Sequence, residues 1–311
     1  MTNVSQAEKI IENLLKDPEL YQKKSEREGE VWGRIFSDDN FIELTKRDQK
    51  AAAKLKLNRH HLTLINLLKK HSIAPDFGLS LACGSGRAER LILKQGICNK
   101  FQGIDIAAGA LEEARRIALK QNLDINYKQG DLNNIKLPRN TYDLVITQNC
   151  LHHVLQLEHI AEEIANSMTS NGVLWIQDYV GETQFQYTDE RLYWTNKILS
   201  LLPERMVTNK LNGKVTREVV RPEPGRLVSP FESIRSAEII PIFLERFDVI
   251  EKAEFNSILR LILPRGAKEE YLKNEESRAL FEILVLIDNL LIEKQILAPT
   301  GCQYLLKPKE K

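Results

Sequence analysis

Two periods of apolar residues divide the chain. Up to about residue 75, apolar positions recur three and four apart, at Ile10, Ile11, Leu14 and Leu15 and again at Leu62, Leu64, Ile65, Leu67 and Leu68, which is the spacing of one helix face. Pro75 ends that pattern. From Phe77 onward short apolar runs alternate with longer amphipathic stretches, the order expected of βαβ units. Gly78 to Ala82, Phe101 to Asp105, Ile125 to Gln129, Tyr142 to Thr147 and Gly172 to Gln177 predict five strands. Between them, Ala110, Leu111, Ala114, Ile117 and Ala118 form one helical stripe, and Leu157, Ile160, Ala161, Ile164 and Met168 form another. Phe247 to Ala253 and Gln303 to Lys307 predict two later strands, separated by a helix over Glu276 to Gln295 with Leu280, Phe281, Leu284, Ile287 and Leu291 on one face.

The expected fold is α/β: a doubly wound, mostly parallel, seven-stranded sheet over residues 76–311, preceded by a helical extension or lid over residues 1–75. Residues 183 to about 235 interrupt the rhythm with Trp, Tyr, Pro and charge, including Arg221-Pro222-Glu223-Pro224-Gly225-Arg226. They predict a lid-like insertion. No internal repeat or low-complexity tract is present.

Composition narrows the class. Hydrophobic residues at 42% and charged residues at 28% of the 311 positions are those of a globular chain. A formal net charge of +1 gives no global pull toward nucleic acid, so none is expected as a partner. The first residues lack a basic, then apolar, export signal, and Ile283 to Ile287 stops at Asp288, far short of the roughly 20 apolar residues that span a bilayer. Cys83, Cys98, Cys150 and Cys302 are scattered without CxxC spacing, which fits a reducing, cytoplasmic setting. Oligomeric state is not readable from these features.

The chemistry concentrates after the first strand. Gly84-Ser85-Gly86 closes a strand and opens a helix, where glycine permits close backbone approach to a nucleotide-like ligand. Nineteen positions on, Asp105 ends the next strand, where doubly wound sheets bind ribose hydroxyls. A dinucleotide loop would carry a third glycine where Glu89 stands, and a carboxylate there opposes a pyrophosphate at the helix N-terminus. NAD is therefore disfavoured.

In this order of motifs the chain resembles the class I (Rossmann-like) S-adenosylmethionine-dependent methyltransferases over roughly residues 77 to 182. Leu81-Ala82-Cys83-Gly84-Ser85-Gly86 resembles their glycine-rich motif, and Gly103-Ile104-Asp105-Ile106 their ribose-binding acidic motif. Gly130-Asp131-Leu132 falls where the family holds the adenine, with the acid accepting from the exocyclic amine. Tyr142 to Ile146 followed by Leu151-His152-His153-Val154 is similar to the fourth strand and its mouth, and Asn171-Gly172-Val173-Leu174 to the turn into the fifth. The resemblance implies S-adenosylmethionine as cofactor, held by Ser80, Ala82, Cys83, Gly84, Gly86, Asp105, Ile106, Gly130, Asp131, Leu132, Gln148 and Asn149. Two departures stand out: Ser80 occupies the place of the acid that commonly opens the glycine-rich motif, and Ala82 that of its first glycine.

Methyl transfer from a sulfonium is an in-line displacement whose main demands are alignment and exclusion of water. A hydroxyl acceptor gains from a general base, and His153 or His152, just past the fourth strand, suits that task. Adjacent histidines in a turn also serve as helix caps. Asp178 and Tyr179 follow the fifth strand and are candidates to orient the acceptor; Tyr187 and Trp194, with Phe185 and Tyr193, are candidates to wall its pocket. Arg205, Lys210, Lys214, Arg217, Arg221 and Arg226 could grip an anionic group, although Glu204, Glu218 and Glu223 are interleaved. Glu28 to Arg34 carries more glycine than a helix favours and could break the helix or fold over the cofactor. A metal site from His152, His153, Glu158 and His159 is not adopted, because adjacent histidines rarely converge and the set shows no clear ligand constellation.

The expected activity is methyl transfer to a small or medium-sized acceptor, an oxygen of a sugar, glycan precursor or secondary metabolite. An RNA or protein methyltransferase and a non-catalytic interaction protein of the same fold are the alternatives. Base methylation is disfavoured because Gln148-Asn149-Cys150-Leu151 stands where an Asn-Pro-Pro-Tyr-like motif would follow the fourth strand.

Overall fold

The structure, a computed structural model, describes residues 3–57 and 63–309; Leu62 of the N-terminal stripe lies outside the described residues. Four helices come first: α1 (Asn3–Lys16), α2 (Pro18–Ser37), α3 (Asp39–Lys54) and α4 (Leu64–Lys70). Asp17 and Asp38 start α2 and α3 by accepting the N–H of Leu20 and of Phe41, the usual role of an aspartate cap. α2 runs unbroken through Gly29 and Gly33, so the expected helix break is not found. Each glycine costs a helix about 1 kcal/mol, and burial of Ser25, Glu28 and Val31 against the rest of the molecule offsets that cost. Leu15, expected on the buried face of α1, is instead 47% exposed.

The sheet region follows as β1 (Phe77–Leu81), α5 (Arg87–Lys94), β2 (Lys100–Asp105), α6 (Ala108–Lys120), β3 (Ile125–Gln129), β4 (Tyr142–Gln148), α7 (Leu157–Ser167) and β5 (Met168–Tyr179). After it come α8 (Asp189–Leu201), α9 (Ile239–Leu244), β6 (Phe247–Phe255), α10 (Leu259–Ile262), α11 (Glu275–Glu293) and β7 (Gly301–Pro308). All seven expected strands are present. Two bounds differ in a way that matters: β1 ends at Leu81, leaving Ala82 to the loop, and β5 begins at Met168 because Tyr142 pairs with it across an irregularity before Leu144 meets Val173.

The strand order is β3-β2-β1-β4-β5-β7-β6. β1 to β5 are mutually parallel, and β7 runs antiparallel between β5 and β6. Central strands buried on both faces require apolar residues throughout, and Leu79, Leu81, Leu144, Val145 and Ile146 are all at most 2% exposed. The expected α7 stripe packs on one face with Leu157, Ile160, Ala161 and Ile164 fully buried. The chain leaves β1 toward β2 and β3 and then crosses back to β4. That reversal opens a crevice at the carboxyl ends of β1 and β4, where open α/β sheets bind ligands.

The 183–235 insertion is anchored rather than loose. Arg191 of α8, 3% exposed, donates to the carbonyls of Ser257 and Ala298 and to Glu182, tying α8 to the segments that flank β6 and β7. Nearby, the buried Asp288 of α11 accepts the N–H groups of Ser257, Ile258 and Leu259 at 2.7–3.0 Å together with the Ser257 hydroxyl. It thereby supplies the acceptor that the start of α10 lacks. Removing an acceptor from several buried donors leaves each unsatisfied. We expect Asp288→Ala to lower stability by about 3 kcal/mol and Asp288→Asn, which keeps an oxygen, to cost clearly less, as read from urea midpoints.

Candidate active site

The loop after β1 departs from ordinary backbone geometry. Ala82, Gly84 and Gly86 all take the left-handed conformation, with φ of 48°, 54° and 75°. Ala82 thus occupies a position that glycine would hold more cheaply, at a cost of roughly 1–2 kcal/mol. A Cβ on Gly84 would stand 2.9 Å from the Phe36 ring of α2, and one on Gly86 would strike the Tyr127 hydroxyl at 2.1 Å. Asp105, 5% exposed, holds the loop from the end of β2: its two oxygens accept the N–H of Gly84 at 2.7 Å and of Ala107 at 2.8 Å. Burial raises its carboxyl above the usual range, against the pull of these bonds.

The loop faces a cavity of about 1880 Å³. That volume exceeds the roughly 300–1,000 Å³ of a single small-ligand pocket, so a cofactor and an acceptor can be accommodated together. Of the expected cofactor residues, Ser80, Ala82, Cys83, Gly84, Asp105, Ile106, Gly130, Asp131, Leu132, Gln148 and Asn149 line it. Gly86 does not, since it turns below the loop toward Tyr127. A strand-to-helix loop in left-handed backbone and a carboxylate at the end of the next strand fit an adenosine-bearing cofactor.

Asp131 differs from its expected role. Its oxygens already accept the Tyr21 hydroxyl at 2.5 Å and the Ser25 hydroxyl at 3.0 Å, both from α2, and the backbone and side-chain N–H of Asn133 at 2.9 and 3.0 Å. With the Asn134 side-chain N–H at 3.3 Å as well, the carboxylate is crowded, so an adenine amine would share it with these donors.

Past β4, the chain makes a short 3-10 turn over Leu151–His153. Asp178, at the end of β5 and 3% exposed, accepts the N–H of Cys150 and Leu151 at 2.9 and 2.8 Å and pairs with His152 Nδ1. Burial opposes its charge, yet His152 and these backbone donors hold it below the usual carboxyl range. Asp178 therefore orients His152, where it was expected to orient an acceptor. His153 Nδ1 lies 3.0 Å from Glu28 Oε1 of α2, whose other oxygen accepts the Phe231 N–H. Trp32 donates to the same Glu28 and sets its ring edge-on to His153, centroids 5.0 Å apart. Burial acts to lower the His153 pKa, but Glu28, Glu232 and Asp178 together raise it. The Nε2 atoms of both histidines turn toward Glu232, at 3.8 and 3.9 Å from its two oxygens.

The other expectations divide. Tyr179, Phe185 and Tyr187 line the cavity, with the Arg260 guanidinium stacked 4.2 Å over the Tyr179 ring and 5.1 Å over Phe185. Trp194 does not; it packs beside α11 and donates to Glu190, while Tyr193 is 54% exposed. The insertion's basic residues are largely spoken for, Arg205 and Lys210 by Glu270, Arg217 by Glu204, Arg221 by Asp189 and Arg226 by Glu223, so they form a paired face rather than an anion grip. Glu158 pairs with Arg235, and His159 meets the Ile135 carbonyl; neither joins His152 and His153. Glu28 and Trp32 belong to the segment read as a possible cover for the cofactor, without their bonds to His153 being foreseen; Glu232 and Arg260 were missed, and no local motif gives a signal for them.

Residues 79–176 match a family described as a methyltransferase domain. No curated protein sequence matches the chain. Among solved structures, the PH0226 protein from Pyrococcus horikoshii OT3 is 15% identical with a TM-score of 0.44, over 79% of this chain and 88% of that one. An S-adenosylmethionine-dependent methyltransferase from Mesorhizobium loti is 13% identical with a TM-score of 0.42, over 75% and 91%. Phosphoethanolamine N-methyltransferase 2 of Haemonchus contortus, in complex with S-adenosyl-L-methionine, is 14% identical with a TM-score of 0.45, over 82% of this chain and 51% of that one. With the strand order and the loop, the matched segment is a class I methyltransferase domain. That domain supports an enzyme whose methyl donor is S-adenosylmethionine.

Beneath the loop, Glu89 of α5 is completely buried, and neither carboxylate oxygen has a hydrogen-bond partner among the described residues. Burial raises its pKa, against weaker lowering by Tyr127, Arg90 and Ser80. The folded chain therefore holds this proton at a pH where the unfolded chain has released it, and stability falls as pH rises above the ordinary glutamate pKa of about 4.3. We expect Glu89→Gln to flatten that fall and to be more stable than wild type at pH 8. Parallel pH–stability curves from urea denaturation would contradict this reading.

Proposed function

We propose that the enzyme methylates an oxygen of a small or medium-sized acceptor, such as a sugar, a glycan precursor or a secondary metabolite, at the Nε2 face of His152 and His153. The observation that carries this reading is the orientation of the pair. Each imidazole has its Nδ1 fixed by a buried carboxylate, Asp178 or Glu28, so Nε2 is the nitrogen left for an acceptor. The aromatic wall of Tyr179, Phe185 and Tyr187 borders that face and excludes water while offering hydroxyls to a polar ligand.

The cofactor would be held by the Ala82–Gly86 loop and Asp105, with Ile106 and Leu132 as apolar neighbours. When bound it would supply an electrophilic sulfonium methyl for the acceptor oxygen. The residues of the chain align and shield. α2 closes one side through Trp32 and Phe36, which both line the cavity. Residues 1–75 thus act as a lid over a catalytic domain at 76–311, and the insertion at 183–235 brings Phe185, Tyr187 and Glu232 to the acceptor side.

Two measurements test this. Calorimetry with S-adenosylhomocysteine should show binding that Asp105→Ala weakens by about 1–3 kcal/mol, through loss of the loop's anchor and of the acceptor for ribose; an unchanged affinity would refute the Asp105 assignment. Incubation of cell-extract fractions with methyl-labelled S-adenosylmethionine should place label in a small O-methylated product, and His153→Ala should cut the rate by on the order of 10²-fold. Label confined to RNA or protein would overturn the acceptor class.

A further inference from the structure

The arrangement of His152, His153 and Glu232 has a second meaning. One ligand atom from each lies within 4.8 Å of the others. The Nε2 atoms stand 3.8 and 3.9 Å from separate oxygens of Glu232, which is beyond hydrogen-bond range. His153 Nε2 is buried and has no hydrogen-bond partner in the protein. A direct imidazolium–carboxylate pair would close to about 2.8 Å; here both gaps stay open by a similar amount.

We infer that His152 Nε2, His153 Nε2 and the Glu232 carboxylate form a binding site for a divalent transition-metal cation. Bonds of about 2.1 Å from nitrogen and oxygen to such an ion place neighbouring ligands roughly 3.0–3.4 Å apart, so each histidine–glutamate gap needs to close by roughly half an ångström to one ångström. Glu232 can provide that contraction, since no closer polar partner among the described residues restrains its carboxylate. The backing is that of a metal site as well. Histidine ligands characteristically donate their other N–H to a carboxylate, which fixes the ring and the tautomer, and Asp178 and Glu28 do this for His152 and His153 respectively.

Charge points the same way. Three carboxylates, Asp178, Glu28 and Glu232, surround two imidazoles, and their side chains are 0%, 5% and 12% exposed. With neutral rings the cluster carries a formal charge of −3 in a poorly solvated place, and a divalent ion reduces this to −1. Two nitrogens and a carboxylate suit Zn²⁺, Mn²⁺ or Fe²⁺ better than Mg²⁺ or Ca²⁺, which favour all-oxygen sites. Sequence spacing argued against convergence of adjacent histidines. The 3-10 turn reverses that, because one ring is drawn to Asp178 from the sheet and the other to Glu28 from α2, leaving both Nε2 atoms on the Glu232 side. The use of this ion in catalysis rests on the methyl-transfer reading: it would bind the acceptor hydroxyl and favour loss of its proton to water.

The test uses the full, untagged chain, stripped with a chelator and titrated with Co²⁺ as a spectroscopic probe, with stoichiometry from equilibrium dialysis. We expect one ion per chain with visible ligand-field bands, and losses of affinity of about 10–100-fold or more in His152→Ala, His153→Ala and Glu232→Gln, and of about 10–100-fold in Glu28→Gln. His71→Ala, distant from the cluster, should bind as wild type. S-adenosylhomocysteine affinity measured on each stripped protein verifies the fold and separates the two readings. Cobalt binding that is absent in wild type, or that survives in Glu232→Gln and His153→Ala alike, overturns the metal site. Loss of S-adenosylhomocysteine binding by wild type would strike the methyl-transfer reading while leaving the metal result to stand by itself.

Discussion

A carboxylate placed inside a protein must have its acceptor sites met or give up its charge, and Asp178 satisfies this with the turn after β4. Its oxygens take the N–H groups of Cys150 and Leu151, the Tyr179 N–H and His152 Nδ1. The pairing of Gln148 with Gln177 brings those donors within reach, so sheet register sets histidine orientation. Once the turn is fixed, His153 is fixed with it, and the His152 carbonyl accepts the Ile234 N–H. Arg235 then secures the same segment by donating to the Leu155 carbonyl and to Glu158. Glu232, between Phe231 and Ile234, is thereby held opposite the histidines. A single buried acid thus organises a cluster drawn from residues far apart in the chain.

α2 is the other organising element. Tyr21 and Ser25 bind Asp131, Glu28 binds His153, and Phe36 lies on Gly84. These positions recur at intervals of three to eight residues, so one face of one helix reaches Asp131, His153 and the Gly84 loop along the cavity. Moving that helix would break the Asp131 bonds and strip His153 of its carboxylate together. α2 consequently ties the Asp131 and His153 ends of the cavity to one another.

What could be read in advance follows from how local each feature is. Strands buried on both faces announce themselves as apolar runs, and the left-handed loop as glycines, because a few consecutive residues decide each. Ala82 was visible as an anomaly, and its φ of 48° explains it: the backbone keeps the conformation although the residue tolerates it poorly. Asp178 was placed at the right edge but given the wrong partner, since its role depends on the turn after β4 rather than on its neighbours in sequence. Trp194 belongs to the core beside α11 for the same kind of reason. Glu28 was noticed only as part of a glycine-bearing segment that could cover the cofactor, not as a partner of His153. Its bond to Phe231 spans 203 positions, and no periodicity or motif carries information over that distance.

The same distance explains why the acidic character of the site was hidden. A net charge of +1 describes the chain as nearly neutral, and the basic residues of 183–235, interleaved with acids, gave no sign of an acidic site. In the folded protein those basic groups are paired at the surface, while Glu28, Asp178 and Glu232 gather where water is scarce. Coulomb energies between like charges grow as the effective dielectric falls, so the cluster favours positive charge between its members. Protonated histidine is one source of that charge. The separation of both Nε2 atoms from Glu232 by nearly 4 Å is what favours an ion that stands between the ligands over a proton that must sit on one of them.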